Sequence, residues 1–434
     1  MQKRPKVIVI GAGFGGMQTA QSLARSGAQI LLIDRNSYNT FVPLLYQVAA
    51  AQIEPELIAY PVRTILRRSP HTRFLRADVK HINFAEQTVA TSDDTFAYDY
   101  LVLATGSQTQ FLGVPGAAEY AFSLRTLEQS IALRNHILQR LEQAALEPDP
   151  QRRQQLLTFV IVGGGPTGVE MAGTLVELKR ALRKDYSGLD LEAMRIFLVQ
   201  SGDNLLVNLP ERLGRYTTRK LRQLGVKVHL QTRVSRVTPD QVEFQEGMTV
   251  PAGTVVWAAG LEAALPETAT SPPTTRKRKL QVGPTLQLIG SDNVYAIGDL
   301  ASFEQNGKSL TGVAPEALQQ GVAVARNICR QLQGKVPQPF SYLNKGRLAI
   351  IGCYAGVGKI GPFPITGFLP WLMWLSVHLV YLPGFRNRLL ILLNWLHGYG
   401  LGDRAVRLIL GHTATVAPPT ALATAASRLI QSSF

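Results

Sequence analysis

Short runs of apolar, mostly β-branched residues recur in the first half of the chain, at residues 6–10, 29–33, 157–162 and 195–199. None of these runs alternates with polar positions, so each predicts a strand that is buried on both faces, as in a parallel sheet. The first and third runs lead directly into a glycine-rich turn and a predicted helix. This order predicts an α/β fold with doubly wound parallel sheets.

The turn after the first strand has the spacing G-x-G-x-x-G at Gly11, Gly13 and Gly16. The first glycine allows a tight turn, the second lets backbone N–H groups approach a pyrophosphate, and the third lets the helix pack on the strand. The next strand ends in Asp34, whose carboxylate can accept hydrogen bonds from a ribose. Strand, turn, helix, strand and acid together predict a dinucleotide site; the alternative is a glycine-rich turn without a ligand.

A second unit of the same kind follows at Gly163, Gly165 and Gly168. Two such units in one chain imply two Rossmann-like domains and two dinucleotides. An enzyme that holds two dinucleotides most simply passes hydride from one to the other. We expect one to be a tightly bound flavin and the other an exchangeable nicotinamide.

The second unit has Gln200 where the first has Asp34. A carboxylate there would bond the ribose 2′-OH of NADH and repel the 2′-phosphate of NADPH. The neutral amide therefore predicts that NADPH is accepted or preferred, with Arg212 or Arg215 as phosphate partners. The alternative is that Gln200 bonds the 2′-OH of NADH.

Composition narrows the function classes. A chain of 434 residues with 46% apolar composition predicts two or three folded domains. The net charge of +15 attracts anionic lipid, polyanions or a phosphate-rich cofactor, but no nucleic-acid-binding motif is present. Cys329 and Cys353 form no CxxC motif, which argues against an iron–sulfur cluster, a zinc site and a disulfide framework. We expect no metal and no nucleic-acid partner.

The last quarter of the chain is basic and apolar. Residues 331–434 contain nine Lys or Arg and one acid, Asp403, and residues 360–385 contain no charged residue. Four prolines interrupt this stretch, and the twelve residues between Pro370 and Pro383 give a helix of about 18 Å, too short for a bilayer core of about 30 Å. We therefore predict amphipathic helices lying in the membrane interface; the alternative is a dimer interface or a buried helix pair.

Residues suited to that interface are of two kinds. Aromatic side chains favour the headgroup zone, and arginines can meet lipid phosphates. The aromatic candidates are Trp371, Trp374, Tyr381, Trp395 and Tyr399, and the arginine candidates are Arg386, Arg388, Arg404 and Arg407.

Three stretches resemble one known family. Residues 34–49 are similar to its D-R-x-x-Y-x-x-F-x-P-L-L-Y-Q-V-A motif, residues 374–379 to W-x-x-V-H-L, and residues 384–389 to G-F-R-N-R-L. From about Lys6 to about Gly411 the chain resembles the type II NAD(P)H dehydrogenases, single-chain flavoprotein quinone reductases that do not pump protons. The resemblance implies FAD, NADH or NADPH, a membrane quinone and monotopic binding to the bilayer surface.

The resemblance also assigns FAD contacts. Asp34 and Arg35 open the first motif. Ala104, Thr105 and Gly106 look like the A-T-G turn at which the chain returns to the flavin domain; the alternative is a structural crossover. Gly298 and Asp299 look like the second FAD motif, whose aspartate bonds the ribityl chain.

Two further residues are candidates for catalysis. Residues 312–321 resemble the quinone-site helix A-Q-x-x-x-Q, in which Ala314 is followed by Pro315 in place of the first glutamine and Gln319 is the second. Gln319 is alternatively a surface residue of a packing helix. Glu170 matches the G-V-E of family members and would steer hydride delivery or relay a proton; alternatively it stabilises the first turn of its helix.

Together these observations predict an FAD-binding portion at 1–112 and 285–330, an NAD(P)H-binding portion at 156–284, and a membrane and quinone-access region at 331–434, with a linker at 143–155. The predicted function is FAD-dependent NAD(P)H:quinone oxidoreduction on the cytoplasmic-side face of the plasma or thylakoid membrane. Gln200 and the overall sequence also resemble the demethylphylloquinone reductases, a resemblance that implies a role in phylloquinone biosynthesis. The sequence leaves open whether the protein is a homodimer. The alternatives are a sulfide:quinone oxidoreductase and a non-catalytic, flavin-binding membrane redox sensor.

Overall fold

A computed structural model describes residues 4–183, 185–401 and 406–409. Backbone contacts divide the chain into two compact units. The first lies within Met1–Thr40, Ala59–Gln108 and Leu261–Asn344, and the second within Phe41–Ile58, Thr109–Gly260 and Lys345–Phe434.

The helices of the described residues are numbered in chain order. They are α1 Phe14–Leu23, α2 Leu45–Ala49, α3 Pro55–Ile58, α4 Val62–Leu66, α5 Ala117–Tyr120, α6 Leu127–Leu146, α7 Pro150–Leu156, α8 Pro166–Leu182, α9 Glu211–Gln223, α10 Ala314–Leu332, α11 Phe368–Tyr381 and α12 Phe385–Leu401.

A five-stranded parallel sheet forms the centre of the first unit. Its order is Val294–Ala296, Tyr100–Leu103, Lys6–Ile10, Gln29–Asp34, Thr72–Arg76. Buried side chains cover both faces of this sheet, as the continuous apolar runs predict. On one face α1 packs against α10, and α10 begins with Ala314 and Pro315, where proline needs no backbone N–H partner.

The second unit repeats this arrangement. Its parallel sheet has the order Phe122–Ser123, Thr254–Trp257, Thr158–Val162, Arg195–Val199, Lys227–His229. In each sheet the strand before the fingerprint thus lies between two strands: the one that leads to Asp34 or Gln200, and one from later in the chain. The predicted α/β class with two Rossmann-like sheets is confirmed.

Smaller strands complete both units. In the first they are Tyr38–Thr40, Ala59–Pro61, Val79–Asn83, Thr88–Thr91, Thr95–Ala97, Glu267–Thr268, Leu280–Gln281, Ala301–Ser302, Glu304–Gln305 and Lys308–Ser309; Ser107–Thr109 and Leu261–Ala263 lie near the unit boundaries. In the second they are Val234–Val237, Gln241–Phe244, Thr249–Pro251 and the antiparallel strands Arg347–Gly352, Ala355–Ile360 and Phe363–Gly367.

The chain re-enters the first unit earlier than the predicted domain limits, directly after Gly260. Glu267–Thr268 pairs with Val79–Asn83, and the Ala264 N–H donates to the Gly106 carbonyl, which holds the segment there. Residues 41–58 belong to the second unit. The division into ligand-binding portions stays a prediction, because the units are defined by packing.

The predicted linker at 143–155 is wrong. α6 continues to Leu146, and α7 begins at Pro150 after only a short connection. Asp149 caps α7 by accepting hydrogen bonds from the backbone N–H groups of Gln151 and Arg152. The Asp-Pro pair is thus a helix start, in which the acid is the cap and proline is the first helical residue.

The C-terminal prolines interrupt the chain less than predicted. Phe363–Gly367 is an edge strand despite Pro364, and α11 begins at Phe368, so Pro370 falls in the first turn where its missing N–H costs no bond. The helix has 14 residues instead of the predicted 12. Across the described ranges, every helix is too short or too polar to cross a membrane.

Candidate functional site

The first glycine fingerprint is a site of close backbone approach. Gly11 has φ +101°, and a Cβ built there would lie 2.3 Å from the Ala104 carbonyl oxygen. A Cβ on Gly16 would lie 1.9 Å from the Gly11 carbonyl oxygen. A Cβ on Gly13 would contact nothing within 4 Å, so open space lies beside the start of α1. The geometry therefore excludes side chains at the turn and leaves room for a ligand beside it.

Asp34 is fixed at the end of its strand by backbone donors. Its Oδ2 accepts from the Ala12 N–H at 2.6 Å, and its Oδ1 accepts from the Asn36 N–H at 2.7 Å. Burial raises the pKa of Asp34, and the two hydrogen bonds oppose this effect. The neighbouring Arg35 is exposed and lies 3.6 Å from Asp78.

The A-T-G turn and the second FAD motif lie in the same unit. Gly106 and Gly298 have φ of +75° and +70°, and the Ser107 hydroxyl donates to the Asp299 carboxylate at 2.6 Å. The buried Thr105 hydroxyl has no hydrogen-bond partner within the described part of the chain. A buried hydroxyl without a partner is costly, so a polar ligand group at this turn would satisfy it. The open fingerprint and the orphaned hydroxyl fit a bound flavin dinucleotide.

The two glutamines of α10 have different surroundings. The Gln319 side chain donates to the Leu343 carbonyl and accepts from the Leu343 N–H, both at 2.9 Å. Gln320 is buried, and its Oε1 accepts from the Gly298 N–H at 2.6 Å. Gln320 therefore fixes the turn at Gly298, a contact that the sequence did not reveal. Gln319 would have to leave Leu343 to bind a quinone carbonyl.

The second fingerprint repeats the geometry of the first. Gly163 has φ +115°, its Cβ would lie 2.8 Å from the Ala258 carbonyl carbon, and a Cβ on Gly168 would lie 1.9 Å from the Gly163 carbonyl oxygen. A Cβ on Gly165 would meet nothing within 4 Å. Gln200 accepts from the Gly164 N–H at 2.9 Å, as Asp34 accepts from its own turn. The same cradle is thus present with a neutral acceptor.

One element of this cradle was missed. Ala258 to Gly260 follow their strand as Ala104 to Gly106 follow theirs, and Gly260 has φ +70°. The signal was present, because V-V-W-A-A-G at 255–260 parallels L-V-L-A-T-G at 101–106.

The two arginines proposed for a 2′-phosphate are engaged elsewhere. Arg212 donates to the Pro364 carbonyl at 3.3 Å, and Arg215 pairs with Glu211 one turn earlier on α9. Their assignment to a 2′-phosphate stays a prediction, and both contacts would have to change on binding.

Glu170 lies beyond the first turn of α8, so its alternative role as a first-turn helix stabiliser is wrong. Its carboxyl group is buried. Burial raises its pKa to about 8, and hydrogen bonding by the Ile350 backbone and the Trp374 side chain opposes this rise only in part. Glu170 is therefore protonated at neutral pH and can hold a proton.

A buried polar chain lies next to Glu170. The Gln47 amide donates to the Tyr46 hydroxyl at 3.1 Å, and the Trp395 indole N–H donates to the Gln47 Oε1 at 2.9 Å. The Tyr46 pKa is raised well above its usual value by burial and then by the negative charge of Glu170. Tyr46 and Gln47 lie within the motif at residues 34–49, but the sequence gives no sign that Gln47 contacts Trp395.

The predicted interfacial aromatics divide into two groups. Trp371, Trp374 and Trp395 are buried, so their assignment to the headgroup zone is wrong, whereas Tyr381 is exposed. α11 and α12 each turn one face toward the protein core, and the three indoles lie on these buried faces. Tyr399 is half-buried.

The other face of α11 and α12 is apolar and exposed. Its exposed residues are Phe368, Leu369, Leu372, Val377, Val380, Tyr381, Phe385, Leu389, Leu392, Leu393 and Leu396. Exposed apolar patches of this kind mark contact surfaces. Of the arginine candidates, Arg386 and Arg388 are exposed beside it, Arg407 pairs with Asp185, and Arg404 lies outside the described residues.

Comparison with known proteins shows the family to which this chain belongs. The model of the pyridine nucleotide-disulphide oxidoreductases matches residues 5–321. The chain is 35% identical over 410 residues to the type II NADH:quinone oxidoreductase Ndh of Mycobacterium tuberculosis, covering 91% of this chain and 88% of that protein.

Solved structures show the same fold. NDH2 from Plasmodium falciparum in complex with NADH has a TM-score of 0.86 at 19% identity, covering 94% of this chain and 100% of that one. The sulfide:quinone oxidoreductase from Aquifex aeolicus has a TM-score of 0.70 at 19% identity, covering 96% and 99%. At these identities the likeness concerns the fold.

The burial of Glu170 predicts a pH-dependent stability. The unfolded carboxyl ionises near 4.5 and the folded one near 8, so its favourable contribution is present below 4.5 and is lost as the pH rises to 8. We expect Glu170→Gln to gain stability relative to wild type across this window, by about 5 kcal/mol at most. Chemical unfolding at several pH values measures this difference. Glu246→Gln, at an exposed turn, is the control; parallel curves for wild type and Glu170→Gln would contradict the assignment.

Proposed function

Because the chain belongs to the type II NADH:quinone oxidoreductases, within the pyridine nucleotide-disulphide oxidoreductase family, we propose that it oxidises a reduced nicotinamide and reduces a membrane quinone by two electrons without pumping protons. The observation that carries this proposal is the repeated cradle. Both units bring a G-x-G-x-x-G turn, a following strand end and a polar acceptor into the same geometry.

The first unit holds FAD in this proposal. Gly11, Gly13 and Gly16 admit the pyrophosphate, and Asp34 orients the adenosine ribose. The rest of FAD is held by two further turns, Ala104 to Gly106 and Gly298 to Asp299. Arg35 and Ala314 border the site. When bound, FAD accepts a hydride from the nicotinamide and delivers two electrons to the quinone.

The second unit holds the nicotinamide nucleotide through Gly163, Gly165, Gly168 and Gln200. The catalytic contribution of the chain is mainly positioning, since the redox chemistry belongs to the bound groups. Reduction of a quinone to a quinol consumes protons, and Glu170 is a buried group that holds one. Gln319 is proposed to bind the quinone, which requires its release from Leu343.

The quinone acceptor of this proposal is a benzoquinone or a naphthoquinone such as demethylphylloquinone. The apolar face of α11 and α12 would lie on the lipid surface from which such a quinone comes. The proposal places the protein monotopically on the cytoplasmic-side face of the plasma or thylakoid membrane, and the exposed apolar face supports the contact with lipid. The proposal allows a homodimer and does not require one.

A sulfide:quinone reaction is the competing proposal, because that fold is also similar. The reaction uses a cysteine pair at the flavin. Neither cysteine is in a disulfide, and they lie in different units, with Cys329 on α10 and Cys353 after the strand Arg347–Gly352. The cysteine positions therefore favour the nicotinamide reaction.

The direct test is a steady-state assay of the detergent-purified protein. We expect bound FAD and quinone-dependent oxidation of NADH or NADPH, measured with a benzoquinone and a naphthoquinone acceptor, and no reduction driven by sulfide. Protein that takes up no FAD, or that bleaches neither nicotinamide in the presence of quinone, would refute the proposal.

Gln200→Glu tests the nucleotide assignment. The new carboxylate keeps the acceptor for the Gly164 N–H and adds a negative charge that repels a 2′-phosphate. We expect kcat/KM for NADPH to fall by about tenfold or more relative to NADH. Gln223→Glu, exposed on α9, is the control, and an unchanged NADPH to NADH ratio in Gln200→Glu would separate this residue from the ribose site.

Leu393→Glu/Leu396→Glu tests the lipid surface without removing the buried indoles of α11 and α12. Both leucines are exposed on α12, and loss of each buried leucine costs about 2 kcal/mol of membrane affinity. We expect strongly reduced sedimentation with liposomes, with FAD content unchanged. Leu146→Glu, at the exposed end of α6, is the control; equal liposome binding by all three proteins would reassign the surface.

A further inference from the structure

Two buried side chains of α10 bind backbone N–H groups on either side of Asp299. Glu316 and Gln320 are each 2% exposed, and because they lie four residues apart they share one face of the helix. The proposed function assigns Asp299 to the second FAD motif. The sequence predicts neither Glu316 nor Gln320 as a site residue.

Gln320 holds the turn that leads into Asp299. Its Oε1 accepts from the Gly298 N–H at 2.6 Å. Gly298 has φ +70°, outside the range of a regular strand or helix, so the turn depends on individual hydrogen bonds of this kind. Since Gly298 directly precedes Asp299, this bond fixes the backbone from which the Asp299 carboxylate projects.

Glu316 holds the turn on the other side. Its Oε2 accepts from the Gly312 N–H at 2.7 Å and from the Val313 N–H at 3.2 Å. Its Oε1 accepts from the Thr311 hydroxyl at 3.2 Å and from the Thr311 N–H at 3.4 Å. A capping box accounts only for the contact with Val313, the residue before the helix. The other donors belong to residues 311 and 312, so the carboxylate also fixes the turn that precedes the helix.

That turn lies against the Asp299 carboxylate. Gly312 has φ +79°, and a Cβ built there would lie 2.7 Å from the Asp299 Oδ1. The Ser107 hydroxyl donates to the Asp299 Oδ2 at 2.6 Å. Each oxygen of Asp299 therefore has a fixed neighbour, and together these neighbours restrict the carboxylate to one orientation.

α10 is itself held against the helix of the first fingerprint. The buried Thr19 hydroxyl of α1 lies 2.9 Å from the Gly15 carbonyl oxygen and 3.3 Å from the Gly321 carbonyl oxygen. A Cβ on Gly321 would lie 2.6 Å from the Gly15 carbonyl oxygen, so the two helices are in backbone contact beside Gln320. The helix that carries both acceptors is thus fixed relative to the first glycine turn.

We propose that Glu316 and Gln320 are positioning residues that hold Asp299 in the orientation in which it binds the flavin nucleotide. They act through Asp299 by fixing the backbone on both sides of it, so neither is a catalytic residue. This inference rests on the proposed function, since it concerns how the FAD site of the first unit is built. A carboxylate that is already ordered gives affinity without an ordering cost on binding.

Glu316→Gln and Gln320→Ala test this inference in the FAD-loaded protein. The first replaces a carboxylate oxygen by an amide nitrogen that accepts no hydrogen bond, and the second removes the acceptor of the Gly298 N–H. We expect each variant to release FAD about tenfold faster or more, because a buried N–H is left without its partner. The rise in flavin fluorescence measures release. The visible circular dichroism of the bound flavin, which reports its surroundings, should change as well.

Two controls separate this effect from a general loss of stability. Asn327→Ala removes a buried amide of α10 that bonds the backbones of Thr285 and Gln338. Asp149→Ala removes the cap of α7. We expect both to lower the thermal stability and to leave FAD release and the flavin spectrum unchanged. Equal acceleration in the controls would overturn the inference, and so would wild-type release in Glu316→Gln and Gln320→Ala.

A double-mutant cycle tests whether both residues act through Asp299. In an Asp299→Ala background, we expect Glu316→Gln and Gln320→Ala to accelerate FAD release no further. Fully additive effects would overturn the inference. If Asp299→Ala retains no FAD, the single variants and their controls decide. If the single variants do not fold, Glu316→Asp, whose shorter side chain withdraws the carboxylate from the turn, decides by the same release criterion.

The inference and the proposed function fail in distinguishable ways. Wild-type protein that binds FAD but reduces no quinone would refute the proposed reaction, and the comparison of FAD release would still decide the roles of Glu316 and Gln320. Wild-type protein that takes up no FAD would refute both.

Discussion

Close approach of backbone to backbone at two glycine turns is the constraint on which this molecule depends. At Gly11 and Gly163 the chain passes so near the end of a neighbouring strand that a Cβ would overlap it, and at Gly16 and Gly168 the helix rests on the turn itself. Only glycine permits both contacts. They fix the helix start against the sheet and leave the outer side of the turn open, which is the space a pyrophosphate needs.

The second determinant is a carboxyl group that the fold keeps from water. Burial raises the pKa of Glu170 to about 8, and this shift is the reason for proposing Glu170 as a proton-holding group. Its neighbours are aromatic and amide groups from helices that also carry an exposed apolar face. α11 and α12 thus have exposed apolar residues on one side and buried indoles on the other.

Local features of the chain predicted much of this arrangement. The strands at Lys6–Ile10 and Arg195–Val199 and the glycine turns follow from short-range rules, because a buried parallel strand and a tight turn are encoded by adjacent residues. Asp149–Pro150 shows the limit of such rules: the pair predicts a linker, although an acid before proline equally starts a helix.

The surroundings of Glu170 could not be predicted in this way. Ile350 and Trp374, which influence the pKa of Glu170, are distant from it in the sequence. The sequence predicts Trp395 at the membrane interface, whereas the structure buries it and its indole N–H donates to Gln47. Tertiary packing decides these contacts, and hydrophobic periodicity carries no signal for them.

Transfer of reducing equivalents from one nucleotide through the other to a quinone is the central claim, and rapid mixing under anaerobic conditions tests it most directly. The flavin-loaded protein is mixed with one equivalent of NADH or NADPH, and a quinone is added afterwards. The account predicts that the flavin absorbance bleaches on the first mixing and recovers on the second. A bound flavin that neither nicotinamide bleaches, or a bleached flavin that quinone does not restore, would contradict it.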